Sequence, residues 1–168
     1  DYLFNAGLRV NKYSSSPQVY VEPRAIVQKF VTPVFSINAS VEYKSQFMSQ
    51  IQESVISNLS LENQVWALSN DENLPILSTY QYTIGGNFSK NKWIIDLEAY
   101  FKKTRGISSL NLDFSNPLLQ FNFETGTSSI QGVDVFVKKQ FKNYNTWLSY
   151  SFNDANYTFP ELNDGKPF

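Results

Sequence analysis

The chain has no cysteine and no histidine among its 168 residues. Without cysteine there is no disulfide framework, which excludes a small secreted domain stapled by bridges and leaves the redox compartment open. Without histidine, the commonest general base and the commonest zinc ligand are both missing. No apolar run approaches the roughly 18 residues that a membrane helix needs. Net charge is only −1, so no electrostatic pull toward nucleic acid is expected. Serine is abundant, yet no Ser-His-Asp triad can be built and no Ser–Lys pair stands out. No enzyme, catalytic residue or cofactor is expected.

What the chain does have is aromatic weight and alternation. Phe, Tyr and Trp make up 16% of it, more than an ordinary core needs, and such excess suits wide sheets or aromatic girdles. Residues 35–44 alternate apolar and polar at every step, which describes a strand with one apolar and one polar face. The same pattern recurs over about Tyr2 to Asn11, Val19 to Phe30, Thr79 to Phe88, Trp93 to Lys102, Ser129 to Gln140 and Thr146 to Asn153. The expected fold is therefore all-β, an antiparallel up-and-down meander of about seven long strands forming one unit over residues 1–168. Pro23 would break a central ladder and predicts a bulge or a local edge.

The links between strands differ in length. Short turns fall near 32, 90 and 143, whereas links of about 45–77 and 103–128 join the other ends. In the first long link, Phe47, Ile51, Val55 and Leu59 recur at helical spacing and predict a short helix. Residues 66–73 read as irregular loop, and 118–123 as a small apolar hairpin. Short turns at one rim and long loops at the other characterise outer-membrane barrels. Alternation alone equally describes a soluble β-sandwich, for instance a cell-surface adhesion or glycan-binding domain. Charges in mid-strand (Arg24, Glu42, Asp96, Glu98, Asp134) favour the barrel, as do strands of the roughly 9–11 residues needed to cross a bilayer.

Several segments then resemble, in order, the barrel of TonB-dependent outer-membrane receptors. They are Val21-Glu22-Pro23-Arg24, Gln46-Phe47, residues 66–70, 80–85 and 98–103, Gln131-Gly132-Val133-Asp134, residues 147–151 and residues 163–168. The resemblance implies a parent barrel of about 22 strands, filled by a plug, in the bacterial outer membrane. It implies outer-membrane lipid and the TonB complex as partners, and a siderophore, cobalamin or glycan as cargo. The chain itself reads as an excised piece without plug or TonB-contacting segment, so TonB contact would belong to other parts of the parent. Seven strands cannot close such a barrel, and isolated material is expected to self-associate through its unpaired edges.

On this reading Phe35, Ile37, Ala39, Val41, Tyr43, Ile95, Leu97 and Ala99 face lipid. Arg24, Ser36, Asn38, Ser40, Glu42, Lys44, Asp96, Glu98 and Asp134 face the lumen. Trp66, Phe121 and Phe123 are the candidate ligand-stacking aromatics of the outer loops, the alternative being that they pack the loops themselves. Asp96 and Glu98, roughly 7 Å apart on one strand face, fit lumen charges better than a glycosidase pair. The groups 70–73 and Asp154, Asn156, Asn163, Asp164, Gly165 are oxygen-rich but lack EF-hand spacing, so no metal is expected. Lys102-Lys103-Arg105 and Lys138-Lys139-Lys142 read as solubility charge, with lipid-phosphate contact the alternative.

Overall fold

A computed structural model describes residues 1–14, 16–53, 63–70, 74–111, 122–160 and 165–167. Its strands are β1 (Tyr2–Lys12), β2 (Val19–Thr32), β3 (Phe35–Gln46), β4 (Met48–Glu53), β5 (Asn63–Leu68), β6 (Leu77–Lys90), β7 (Trp93–Asn111), β8 (Asn122–Gln140) and β9 (Asn145–Thr158). Seven of them form one antiparallel sheet in the order β1-β2-β3-β6-β7-β8-β9, a meander in which each strand pairs with the next main strand. β1 and β9 are its two edges, so the sheet is not closed. The all-β meander therefore stands as the alternation implies, and the described residues contain no helix.

Two expectations in the first long link are corrected. Residues 48–53 form a strand and not a helix, and residues 63–68 form its antiparallel partner and not an irregular loop, with Gln50 opposite Trp66. An i, i+4 recurrence of apolar residues is ambiguous when the segment is short, and a local hairpin satisfies the backbone of both halves at once. The rest of that helix expectation and residues 71–73 lie outside the described residues. The second long link is also shorter than expected, because β7 and β8 run on as a hairpin to Asn111 and Asn122. The apolar hairpin expected at 118–123 falls mostly outside the described residues.

Local backbone chemistry explains the joints. Asn91 and Lys92, the two residues between β6 and β7, have φ of 52° and 65°, the left-handed pair required by a two-residue turn that follows strand twist. Gly106, at φ 86°, sits where the β7–β8 register shifts between Arg105 and Ile107, the place of the extra residue in a glycine bulge. Pro23 resolves as a local edge: it stands opposite Leu8 of β1, and the ladder to β3 begins only at Arg24.

Packing is sparse. Among the described residues only Leu74 and Phe159 are buried hydrophobic side chains. An aromatic cluster at the long-link end ties the small β4–β5 hairpin to the main sheet. Phe47 stacks on Tyr13 at 5.1 Å and meets Tyr20 edge-on at 5.1 Å, while the Tyr13 hydroxyl donates to the Ser69 carbonyl at 2.9 Å. Such contacts fix a hairpin but supply no core for seven strands.

Candidate functional site

Directly opposed residues of antiparallel strands share a face, so the registers assign every main-sheet side chain to one side or the other. Ala39 pairs with Ile84, Ile84 with Ala99, Ala99 with Val133, and Val133 with Phe152. One face consequently carries Phe35, Ile37, Ala39, Val41, Tyr43, Ile95, Leu97 and Ala99 together with apolar residues from all other main strands. The opposite face carries Arg24, Ser36, Asn38, Ser40, Glu42, Asp96, Glu98 and Asp134. The structure thus places these two sets of residues on opposite faces of one sheet.

Burial on the inner strands is inverted relative to a water-soluble sheet. On β6 the apolar Tyr80, Tyr82 and Ile84 are exposed, Ile84 by 65%, whereas Gln81 and Thr83 between them are half-buried. On β3, Phe35, Ile37 and Val41 are exposed while Ser36 is only 6% exposed. A contiguous apolar surface of this kind, spanning seven strands, is far larger than the isolated patches that soluble monomers tolerate.

The apolar face is a band with limits. It runs from Phe35 to Tyr43 on β3 and from Phe88 back to Tyr80 on β6, nine residues each, or roughly 26 Å along the strand at about 3.3 Å per residue. Its limits also step across the sheet. By the pairings, Val10 on β1 lies level with position 45 of β3, and Phe152 on β9 lies level with position 39. That drift is about one residue per strand. With strands about 4.8 Å apart, a level band implies strands tilted by roughly 35°, the range of barrel strands.

The polar face is knit by side-chain hydrogen bonds between strands. Asn38 Nδ2 donates to Asn87 Oδ1 at 2.9 Å, and Asn87 Nδ2 donates to Asp96 Oδ1 at 2.5 Å, linking β3, β6 and β7. Gln28 donates to Ser36, Ser40 pairs with Thr83 at 2.6 Å, and Thr79 pairs with Thr104 at 3.0 Å. Buried Glu22 meets Arg9 at 3.7 Å and accepts from the Ser45 backbone N–H at 2.9 Å. Glu42 takes Lys44 at 2.6 Å. Arg24, Glu42, Gln81 and Lys102 stand side by side across four strands. Glu98 and Asp134 face each other directly, a like-charge pairing that a sheet normally avoids. Among the described residues no group of three or more His, Cys, Asp or Glu is placed to hold a metal ion.

Where the β4–β5 hairpin meets this face, a cavity of about 400 Å3 opens, with Lys44, Gln81 and Lys102 on the sheet side and Met48 and Leu68 from the hairpin. Sequence reasoning missed it, since no local signal brings Lys44 and Lys102 together beneath residues 48 and 68. Of the ligand-stacking candidates, Trp66 lies on β5 and is 59% exposed. Phe123 lies on β8 opposite Leu110, and Phe121 lies outside the described residues. Trp66 is not among the residues that line the cavity. Of the oxygen-rich groups, Asn156 donates to Asp154 at 3.0 Å and Asn70 Oδ1 accepts from the Leu74 backbone N–H at 2.9 Å; the remaining members fall largely outside the described residues.

No family model matches this chain, and no curated protein or solved structure is significantly similar to it. The functional reading therefore rests on the two faces and on the sequence resemblance.

Proposed function

We propose that this chain is a wall segment of a bacterial outer-membrane β-barrel, with its apolar face against lipid and its polar face toward the lumen. The observation that carries the reading is the inverted burial: the half-buried, hydrogen-bonded face is polar, and the exposed face is apolar. In water this arrangement wastes apolar surface at roughly 25 cal/mol per Å2. In a bilayer it is the required one, because lipid accepts apolar side chains while the backbone groups of the five inner strands are satisfied by neighbours on both sides. The band height, its diagonal drift and the placing of short turns at one rim support the same reading. A soluble sandwich would need a second sheet to cover the apolar face, and among the described residues the other sheet is a two-stranded hairpin at one end.

Within that class, the ordered resemblance to TonB-dependent receptors favours a receptor that imports a scarce nutrient, a siderophore, cobalamin or glycan, with energy delivered by TonB. The cavity under β4–β5 gives the lumen wall a place for part of such a cargo. The test is gel mobility of the full-length parent in detergent, with and without heating. A barrel migrates as a compact species until boiled. Identical mobility in both samples, with the protein found outside the outer-membrane fraction, refutes the proposal.

A further inference from the structure

The short-turn end of the main sheet is rich in lysine. At the short-turn end stand Lys29, Lys90, Lys92, Lys138, Lys139 and Lys142, against two acidic residues, Asp1 and Asp96. Six lysines against two carboxylates at one rim exceed what solubility asks, since solubility is served by charges of both signs mixed over the surface.

The lysines at the short-turn end are also placed in a particular way. Lys90, Trp93 and Lys139 are in register across β6, β7 and β8, on the same face as the apolar band and one step beyond Phe88, Ile95 and Val137. The Lys139 ammonium lies 4.6 Å over the Trp93 ring and donates to the Asn91 carbonyl at 3.0 Å. Lys29, further along the same rim and face, lies 5.4 Å over Tyr2. Each cation rests on an aromatic ring at the band's edge, the depth at which indole and phenol rings meet headgroups. Lys92 adds a further charge at the tip of the turn, in a left-handed conformation that glycine would adopt more easily.

We propose that this rim is a docking surface for anionic phospholipid headgroups in the leaflet on the short-turn side. Lys90 and Lys139 flank Trp93 and hold phosphate oxygens just outside the apolar band, while Lys29 does the same beside Tyr2. The inference rests on the membrane reading above and adds the class of lipid that this rim selects.

The experiment compares partitioning of the full chain into phosphatidylcholine vesicles with and without about 30 mol % phosphatidylglycerol, at low salt. The anionic lipid is expected to raise partitioning by about fivefold per engaged lysine. The double substitution Lys90→Gln with Lys139→Gln is expected to remove about 25-fold of that gain while leaving partitioning into neutral vesicles unchanged. Lys103→Gln with Arg105→Gln, on the same face at the opposite rim, is expected to keep most of it. Equal partitioning of the unaltered chain into both vesicles overturns the inference and leaves the membrane reading standing. So does a double variant at Lys90 and Lys139 that retains the gain, or an equal loss from the opposite-rim pair. Failure to enter neutral vesicles overturns the membrane reading, and this inference with it.

Discussion

Ile84→Arg separates a lipid-facing surface from a water-facing one by magnitude. Ile84 lies at the middle of the band: nine residues from Phe88 to Tyr80 span it, and Ile84 is the fifth. It is 65% exposed, with Ala39 and Ala99 on either side in register. If water covered this face, arginine would be accommodated within about 0.5 kcal/mol, as at any exposed site free of special contacts. If lipid covers it, Ile84 lies roughly 10 Å from either interface after tilt, and a cation at the midplane of a barrel's lipid face costs about 2–4 kcal/mol. The folding equilibrium in vesicles would fall by roughly thirtyfold to several hundredfold. Urea titration of protein folded into phosphatidylcholine vesicles, followed by tryptophan emission, measures the difference. Phe88→Arg, at the band's edge, supplies the depth control with a charge cost of about 0–1 kcal/mol beyond the lost apolar contact. An Ile84→Arg loss below about 0.5 kcal/mol, or one no larger than at Phe88, refutes the reasoning.

Other consequences follow from the same geometry. Thr83→Val removes the 2.6 Å bond to Ser40 on the polar face and is expected to cost about 1 kcal/mol in the same titration. Gly132→Ala places a methyl group 2.6 Å from the Tyr100 ring and 2.8 Å from the Phe152 carbonyl, so a loss of about 1–3 kcal/mol is expected, partly recovered by Tyr100→Leu. Lys92→Gly relieves a left-handed lysine in the β6–β7 turn and should raise stability by up to about 1 kcal/mol, read as a higher urea midpoint at unchanged slope. With β1 and β9 unpaired, the isolated chain in mild detergent is expected to elute from size exclusion as an oligomer, and a stable monomer would contradict that expectation.

The seven main strands were legible because alternation with period two is written into them wherever one face is apolar. Legibility ends where the band ends. Beyond Lys102 the run Lys103-Thr104-Arg105-Gly106 no longer alternates apolar with polar, so β7 continues to Asn111 without a pattern to announce it. β8 similarly begins at Asn122, well before the alternating Val133, Val135 and Val137. In these extensions even the buried positions are polar, Thr104 and Ser128 at 6% exposure each, so no apolar–polar switch marks the strand. The β4–β5 hairpin was hidden for a different reason, since Phe47 and Ile51 fit helix and strand alike and long-range docking of Phe47 on Tyr13 and Tyr20 decides. The two faces could be assigned residue by residue in advance. The cavity beside Lys44 and Lys102 could not, because it exists only once β3, β6, β7 and the hairpin are assembled.

The central claim, that the apolar face meets lipid and the polar face does not, is tested most directly by a spin-label scan of β6. The absence of native cysteine lets single cysteines be placed from Thr79 to Phe88 and labelled without background. In vesicles, the account predicts high accessibility to oxygen and low accessibility to a water-soluble nickel chelate at Tyr80, Tyr82, Ile84, Gly86 and Phe88. Thr79, Gln81, Thr83, Gly85 and Asn87 should show lower oxygen accessibility, giving a period of two with its oxygen maximum at Ile84. Nickel accessibility at Ile84 as high as on the solvent-exposed turn at Asn91, or no alternation along the strand, contradicts it.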